Sequence, residues 1–334
     1  MKHVIVLLTL LGSWNWSHAG ESIVVETAFV VAAQARNALI WDVRSDEDYK
    51  RGHIPGAINI GDILGELRDG NTEDYLPIAQ LEKIFGDNGI DISREIVLYG
   101  AKALPNAYFG HVTLRYLGAT RAYVYHGGMD DWKGAGNEVS TRATTLPAIT
   151  VMFKPNEEVV ASTQDVLTKL KDRSAQIVDA RTPKEYNGDD IRALRGGHIP
   201  GAINIPYETN WVDAETPRKL QRKQVANKDG MNLKSEAELK KLYAGLDPEK
   251  ETIVYCQSGS RASETATVLH NLGFKKVRVY DSSWLGWGNE FSAPVESVTY
   301  FNVGRMNNLL NSLQGRVDAL EAELEQIRQR TPKQ

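Results

Sequence analysis

The sequence predicts an α/β protein: two tandem copies of one unit, each a parallel sheet flanked by helices, followed by a C-terminal coiled-coil helix. Three observations predict this. The nonamer Gly-His-Ile-Pro-Gly-Ala-Ile-Asn-Ile occurs twice, at residues 52–60 and 197–205. Around each copy, short apolar runs alternate with helix-like segments, the order that builds a parallel sheet covered on both faces. From Met306 onward the apolar residues fall into a heptad seam instead.

In chain order, residues 1–19 read as a secretory signal. Met1-Lys2-His3 is a basic start, residues 4–11 are apolar, and Ser17-His18-Ala19 is a small-x-small cleavage pattern. The run is too short to span a bilayer as an ordinary helix. A mature chain without a membrane span, periplasmic or secreted, is therefore expected.

The first unit occupies residues 20–140. A strand-like run ends in Asp42-Val43-Arg44, the nonamer follows, and a second apolar run covers 96–99. A helix then stops near Leu117-Gly118, a third strand covers 122–125, and Trp132 closes the unit. Residues 141–157, with Pro147 and Pro155 and little helical period, read as a strap between units.

The second unit, 158–298, repeats the order: Asp179-Ala180-Arg181, the nonamer, an apolar run over 253–255, Leu272-Gly273, a strand over 277–280, and Trp287. It differs by a charged insertion over 213–250, in which Ser235-Glu236-Ala237-Glu238 reads as a capped helix start. In the tail, 303–330, Met306, Leu310, Leu313, Val317, Leu320, Leu324 and Ile327 follow a 4-3-4-3 spacing. Arg316 with Glu321, and Glu323 with Arg328, are then opposite-charge pairs suited to a parallel, in-register second copy. Self-association is expected, against the alternative of an amphipathic helix folded back on its own domain.

Composition narrows the function. Of 334 residues, 43 are acidic and 39 basic, a formal net charge of −4, with 42% hydrophobic residues. Two ordinary cores are affordable at that length. A nucleic-acid footprint would need a basic stripe, so no such partner is expected. His111, His126 and His270 are scattered and the chain has one cysteine, so no metal or other cofactor is expected.

That single cysteine, Cys256, follows the apolar run Thr252-Ile253-Val254-Tyr255 and precedes Gln257-Ser258-Gly259-Ser260-Arg261 and a helix. A thiol between a strand and a helix start can face backbone N–H groups, which favours the thiolate. An exported chain that keeps one unpaired thiol either uses it chemically or buries it as inert packing. The strand–turn–helix setting points to a nucleophile.

The tandem unit, the Asp-x-Arg strands, Gly-His-Ile-Pro-Gly-Ala and the Cys256–Arg261 run together resemble the rhodanese superfamily, in particular its tandem-domain thiosulfate or 3-mercaptopyruvate sulfurtransferases. The resemblance covers roughly residues 23–294. It implies two rhodanese-like domains, with Cys256 carrying a sulfane sulfur as a persulfide and the backbone of Gln257, Ser258, Gly259, Ser260 and Arg261 forming the cradle. It also implies a small sulfur donor and a thiol or cyanide acceptor. Two departures bear on the donor. Where thiosulfate-specific members place cations, this chain has Ser258 and Glu185.

The first copy has Gly100 where the second has Cys256, so it is expected to be non-catalytic. The duplication also serves as a control. His53 and His198 occur in both copies and are read as structural, and Asp42, Arg44, Asp179 and Arg181 as braces. Arg181 remains a candidate for touching substrate because its copy carries the thiol. Trp284, which matches Met129 rather than a second Trp, is a candidate pocket wall. Two other functions stay open: a sulfur carrier without turnover, and a cysteine phosphatase, whose Cys-x5-Arg loop is one residue longer than the Cys-x4-Arg found here.

Overall fold

A computed structural model describes residues 22–330; the signal-peptide reading over 1–19 lies outside the described residues. The first sheet is parallel, in the order β1 (Val24–Val25), β4 (Ala122–Tyr125), β3 (Ile96–Tyr99), β2 (Leu39–Asp42). The second holds β5 (Val160–Ala161), β10 (Val277–Tyr280), β9 (Glu251–Tyr255), β6 (Ala175–Asp179) and β8 (Ile203–Asn204), again all parallel. Separately, β7 (Arg195–His198) pairs antiparallel with β11 (Glu296–Tyr300).

The strands read as continuous apolar runs because helices cover both faces. Alternation within them sorts side chains into two layers. On β3, Ile96 and Leu98 enter one core and Val97 and Tyr99 the other. On β9, Val254 faces one core and Ile253 and Tyr255 the opposite one. Cys256, next in line, shares the Val254 side.

The repeat is visible atom by atom. Tyr99 and Tyr255 each accept, at the hydroxyl, an N–H from the nonamer (Ile54, Ile199). Arg44 and Arg181 each bind the preceding aspartate and the carbonyl of Gly52 or Gly197. His53 stacks on Tyr49 with ring centroids 3.8 Å apart, and His198 on Tyr186 at 3.6 Å. Both histidines are buried and bond the same tyrosine's carbonyl through Nδ1, a structural employment in each copy.

The two copies are joined by more than the strap. Helix Pro105–Leu117 packs on helix Ser260–Asn271, and Val112 of the first is part of the second copy's core. The strap has no helix or strand from 141 to 158. It is not loose: Leu146, Val151 and Phe153 pack on the first core, and Ile149 N–H bonds the Gly86 carbonyl. The insertion docks back on the first copy, where His126 Nε2 meets the Met231 carbonyl at 2.8 Å and Lys228 pairs with Asp130. Within it, Ser235 and Glu238 form a capping box at helix Glu236–Leu242.

The tail is one helix, Val303–Arg330. Every residue of its seam from Met306 to Ile327 is exposed, so the helix does not fold its apolar stripe onto its own domain. No helix among the described residues is long and apolar enough to cross a membrane.

Candidate active site

β9 delivers Cys256 to a tight loop, and helix Ser260–Asn271 begins immediately beyond it. The thiol has no disulfide partner and is about 1% exposed. Its backbone is fixed from both sides. Cys256 N–H donates to Ser283 Oγ at 3.2 Å, and the Cys256 carbonyl accepts from Trp284 N–H at 3.0 Å. In the first copy, Gly100 occupies the same place after β3, and its carbonyl accepts from Met129 N–H at 2.9 Å.

Among the described residues, the loop amides from Gln257 to Ala262 donate to no carbonyl or side chain. A run of unspent N–H groups at a helix start is an anion-binding concavity. Gly259 makes the turn possible: its φ is +90°, a conformation that costs an L-residue heavily.

Arg261 does not reach freely toward a ligand. Its guanidinium grips both carboxylate oxygens of Glu185 at 2.8 Å. Burial works against the Arg261 charge, but the bond to Glu185, the neighbouring Cys256 and the Glu185 and Glu208 charges hold its pKa above the ordinary value. Glu185 is likewise opposed by burial, yet Arg261 and the Thr182 cap bring it down to about 2. It stands ionised, and Arg192 adds a longer contact at 3.4 Å. Glu208, mostly buried nearby, is raised by that burial. Gln257 points Nε2 at the Arg192 carbonyl at 2.7 Å. Ser258, Ser260 and Arg261 are the partly exposed residues of the loop.

Two candidates are corrected. Trp284 is fully buried on the Tyr255 side of the sheet, opposite Cys256, with its indole N–H on the Arg195 carbonyl. Arg181 lies over the Trp284 ring at 4.4 Å, spent on Asp179 and the Gly197 carbonyl. Both brace the loop from behind and present nothing to a substrate. The cause is strand alternation: residues adjoining Tyr255 in space sit across the sheet from the thiol.

Sequence reasoning missed a first-copy residue. Arg68, almost wholly buried, crosses to the second copy and bonds the Ser258 carbonyl and the Asp281 carboxylate. Its guanidinium lies 4.5 Å from the Phe109 ring centroid. The Tyr75 N–H adds a bond to the other Asp281 oxygen at 3.2 Å. Burial pushes Asp281 up to about 6, against the pull of Arg68. No local motif marks Arg68, which lies in the mixed run Glu66-Leu67-Arg68-Asp69.

A strand-borne cysteine, a cradle of free amides and a cysteine-less twin now stand together, and comparison with known proteins agrees with them. The Rhodanese-like domain pattern matches twice, at residues 29–135 and 162–290. The chain belongs to the rhodanese-like family. It is 35% identical over 270 residues to the thiosulfate sulfurtransferase of Corynebacterium glutamicum, covering 76% of this chain and 84% of that one. A putative thiosulfate sulfurtransferase of Mycobacterium leprae is 34% identical over 275 residues, 78% of this chain and 92% of that one. Among solved structures, the 3-mercaptopyruvate sulfotransferase SseA from Escherichia coli superposes with a TM-score of 0.66 at 26% identity, over 79% of this rhodanese-like chain and 99% of SseA.

Proposed function

We propose that this rhodanese-like protein is an exported sulfurtransferase that moves a sulfane sulfur from a small donor such as thiosulfate to cyanide or a thiol through a Cys256 persulfide. The observation that carries the reading is the set of unspent loop amides from Gln257 to Ala262 around the one cysteine. The Cys256 thiolate attacks the outer sulfur of the donor. A new S–S bond forms, the donor's own S–S bond breaks, and sulfite leaves with the electron pair. The loop amides stabilise the anionic persulfide. Cyanide then takes the terminal sulfur as thiocyanate, and the electron pair returns to Cys256. Splitting one transfer in two is covalent catalysis.

Glu185 argues about the donor. With Arg261 neutralised by it, the main-chain donors carry most of the anion binding at the loop. The same pairing disfavours the phosphatase reading, which needs an arginine free for a phosphate group. A carrier without turnover would load one sulfur and keep it.

The test is thiocyanate production from thiosulfate and cyanide by wild type and Cys256→Ser, with intact mass followed in parallel. Wild type should turn over and show a species one sulfur heavier; Cys256→Ser should do neither. Equal activity in both overturns the mechanism, and loading without turnover supports the carrier. Export is supported by the Ser17-His18-Ala19 pattern; an N-terminus at Gly20 in protein from native cells tests it. The heptad seam and its charge pairs support self-association of the tail.

A further inference from the structure

Far from the thiol, helices Pro105–Leu117 and Ser260–Asn271 leave a cavity of about 550 Å³ where the two copies meet. His111, Arg115, Thr120, Tyr123, Asn156 and His270 line it, and no carboxylate among the described residues does. Ser260 to His270 spans ten residues of one helix, about 15 Å of rise, so the cavity is separate from the loop.

Two features of this cavity are unusual. His111 is 2% exposed, and among the described residues neither ring nitrogen makes a well-formed hydrogen bond. The Ala122 backbone faces the ring and opposes the effect of burial, short of a well-formed hydrogen bond. Burial nevertheless pushes His111 down to about 3 and His270 to about 4, so both rings are neutral and each has an N–H to give. Arg115 is mostly buried with no ion pair among the described residues, and burial alone pulls its pKa down. A helix C-terminus favours a cation. It does not explain burying one with no carboxylate among the described residues, beside a buried histidine that makes no well-formed hydrogen bond. An adjoining cavity of about 350 Å³ shares Arg115, Asn156 and His270 but is lined by Glu157 and Glu158 as well as Lys275 and Lys276. An anion is therefore better placed in the first.

We propose that the seam cavity binds a small oxyanion, with Arg115 as its countercharge and the His111 and His270 N–H groups as donors from the two copies. The site is independent of sulfur transfer at Cys256. A ligand shared by both copies ties them together and stabilises the fold by mass action.

The probes are sodium sulfate and sodium phosphate, added to the full mature chain at ionic strength held constant with chloride. Sodium acetate serves as a carboxylate arm. The His111 and His270 ring resonances and the melting temperature are followed. Saturable shifts of both rings and a rising melting temperature are expected, in Cys256→Ser as in wild type. Arg115→Met, which keeps the aliphatic stem and removes an unpaired charge, should fold and weaken binding at least tenfold. Shifts that never saturate, or equal affinity in Arg115→Met, overturn the proposal. A response to acetate alone overturns the inorganic oxyanion in favour of a carboxylate.

Discussion

Arg261 and Glu185 meet in a two-point ion pair, both contacts 2.8 Å, with only 2% of the Glu185 side chain exposed. The pair staples the start of the helix that follows the Cys256 loop to the segment just past the Asp-x-Arg strand. Such pairs fix geometry strongly and are costly to break from one side.

Glu185→Gln leaves the guanidinium buried and unmatched. A loss of about 3 kcal/mol in urea unfolding at neutral pH is expected. The pH dependence follows from a carboxyl held at about 2 against an ordinary 4.5. A lowered pKa contributes stability that is complete above 4.5 and drains as pH falls toward 2. Wild type should therefore lose stability more steeply than the variant across that window. Parallel curves would show that the pair contributes nothing.

Arg68→Met separates the first copy from the loop. It strands Asp281, whose pKa already sits at about 6. Without Arg68 that carboxyl climbs further, so its ionised form costs more. The cost is small at pH 5, where Asp281 stays protonated, and grows as pH rises above 6. A destabilisation of about 3 kcal/mol at pH 8 and clearly less at pH 5 is expected. Thiocyanate turnover should fall tenfold or more while folding persists, and adding Asp281→Asn should restore part of the stability. Unchanged turnover would confine Arg68 to a structural role.

Much of this site is legible in the sequence, for local reasons. Cys256, its glycine-bearing turn and its helix are contiguous, and Gly100 betrays the silent copy by alignment alone. What is hidden is long-range. Arg68 and Ser258 are 190 positions apart, and nothing in either segment names the other. Glu185 is visible only as a departure from the expected cation; its partner Arg261 emerges once the chain folds. Trp284 and Arg181 mislead because nearness along the motif says nothing about which side of β9 they occupy. Alternation from Tyr255 to Cys256 places the two on opposite faces.

Gly259→Ala tests the cradle itself. The backbone there has φ +90°, and an added Cβ would lie 2.7 Å from Arg68 Nη2 and 3.2 Å from the Asp281 carbonyl. Strain of roughly 1–2 kcal/mol is expected from the conformation alone, before Arg68 moves. The loop must open or Arg68 must withdraw. Persulfide loading, read by intact mass, should slow at least tenfold; loading at the wild-type rate would show that the amides do not need this turn.

The tail offers the last test. Its seam residues stand bare, Leu310 and Leu324 each 54% exposed, over a helix of 28 residues. An apolar stripe left in water favours a second copy, and the opposite-charge pairs Arg316 with Glu321 and Glu323 with Arg328 suit two helices that run parallel and in register. Sedimentation should find a defined oligomer in wild type and a monomer in Leu320→Lys, with the melting of the rhodanese-like domains unchanged. Orientation is read separately. In a Cys256→Ser background, Leu313→Cys brings two thiols face to face in the parallel arrangement and should oxidise to a cross-linked pair. A monomeric wild type removes the proposal; an oligomer that fails to cross-link replaces parallel packing with antiparallel.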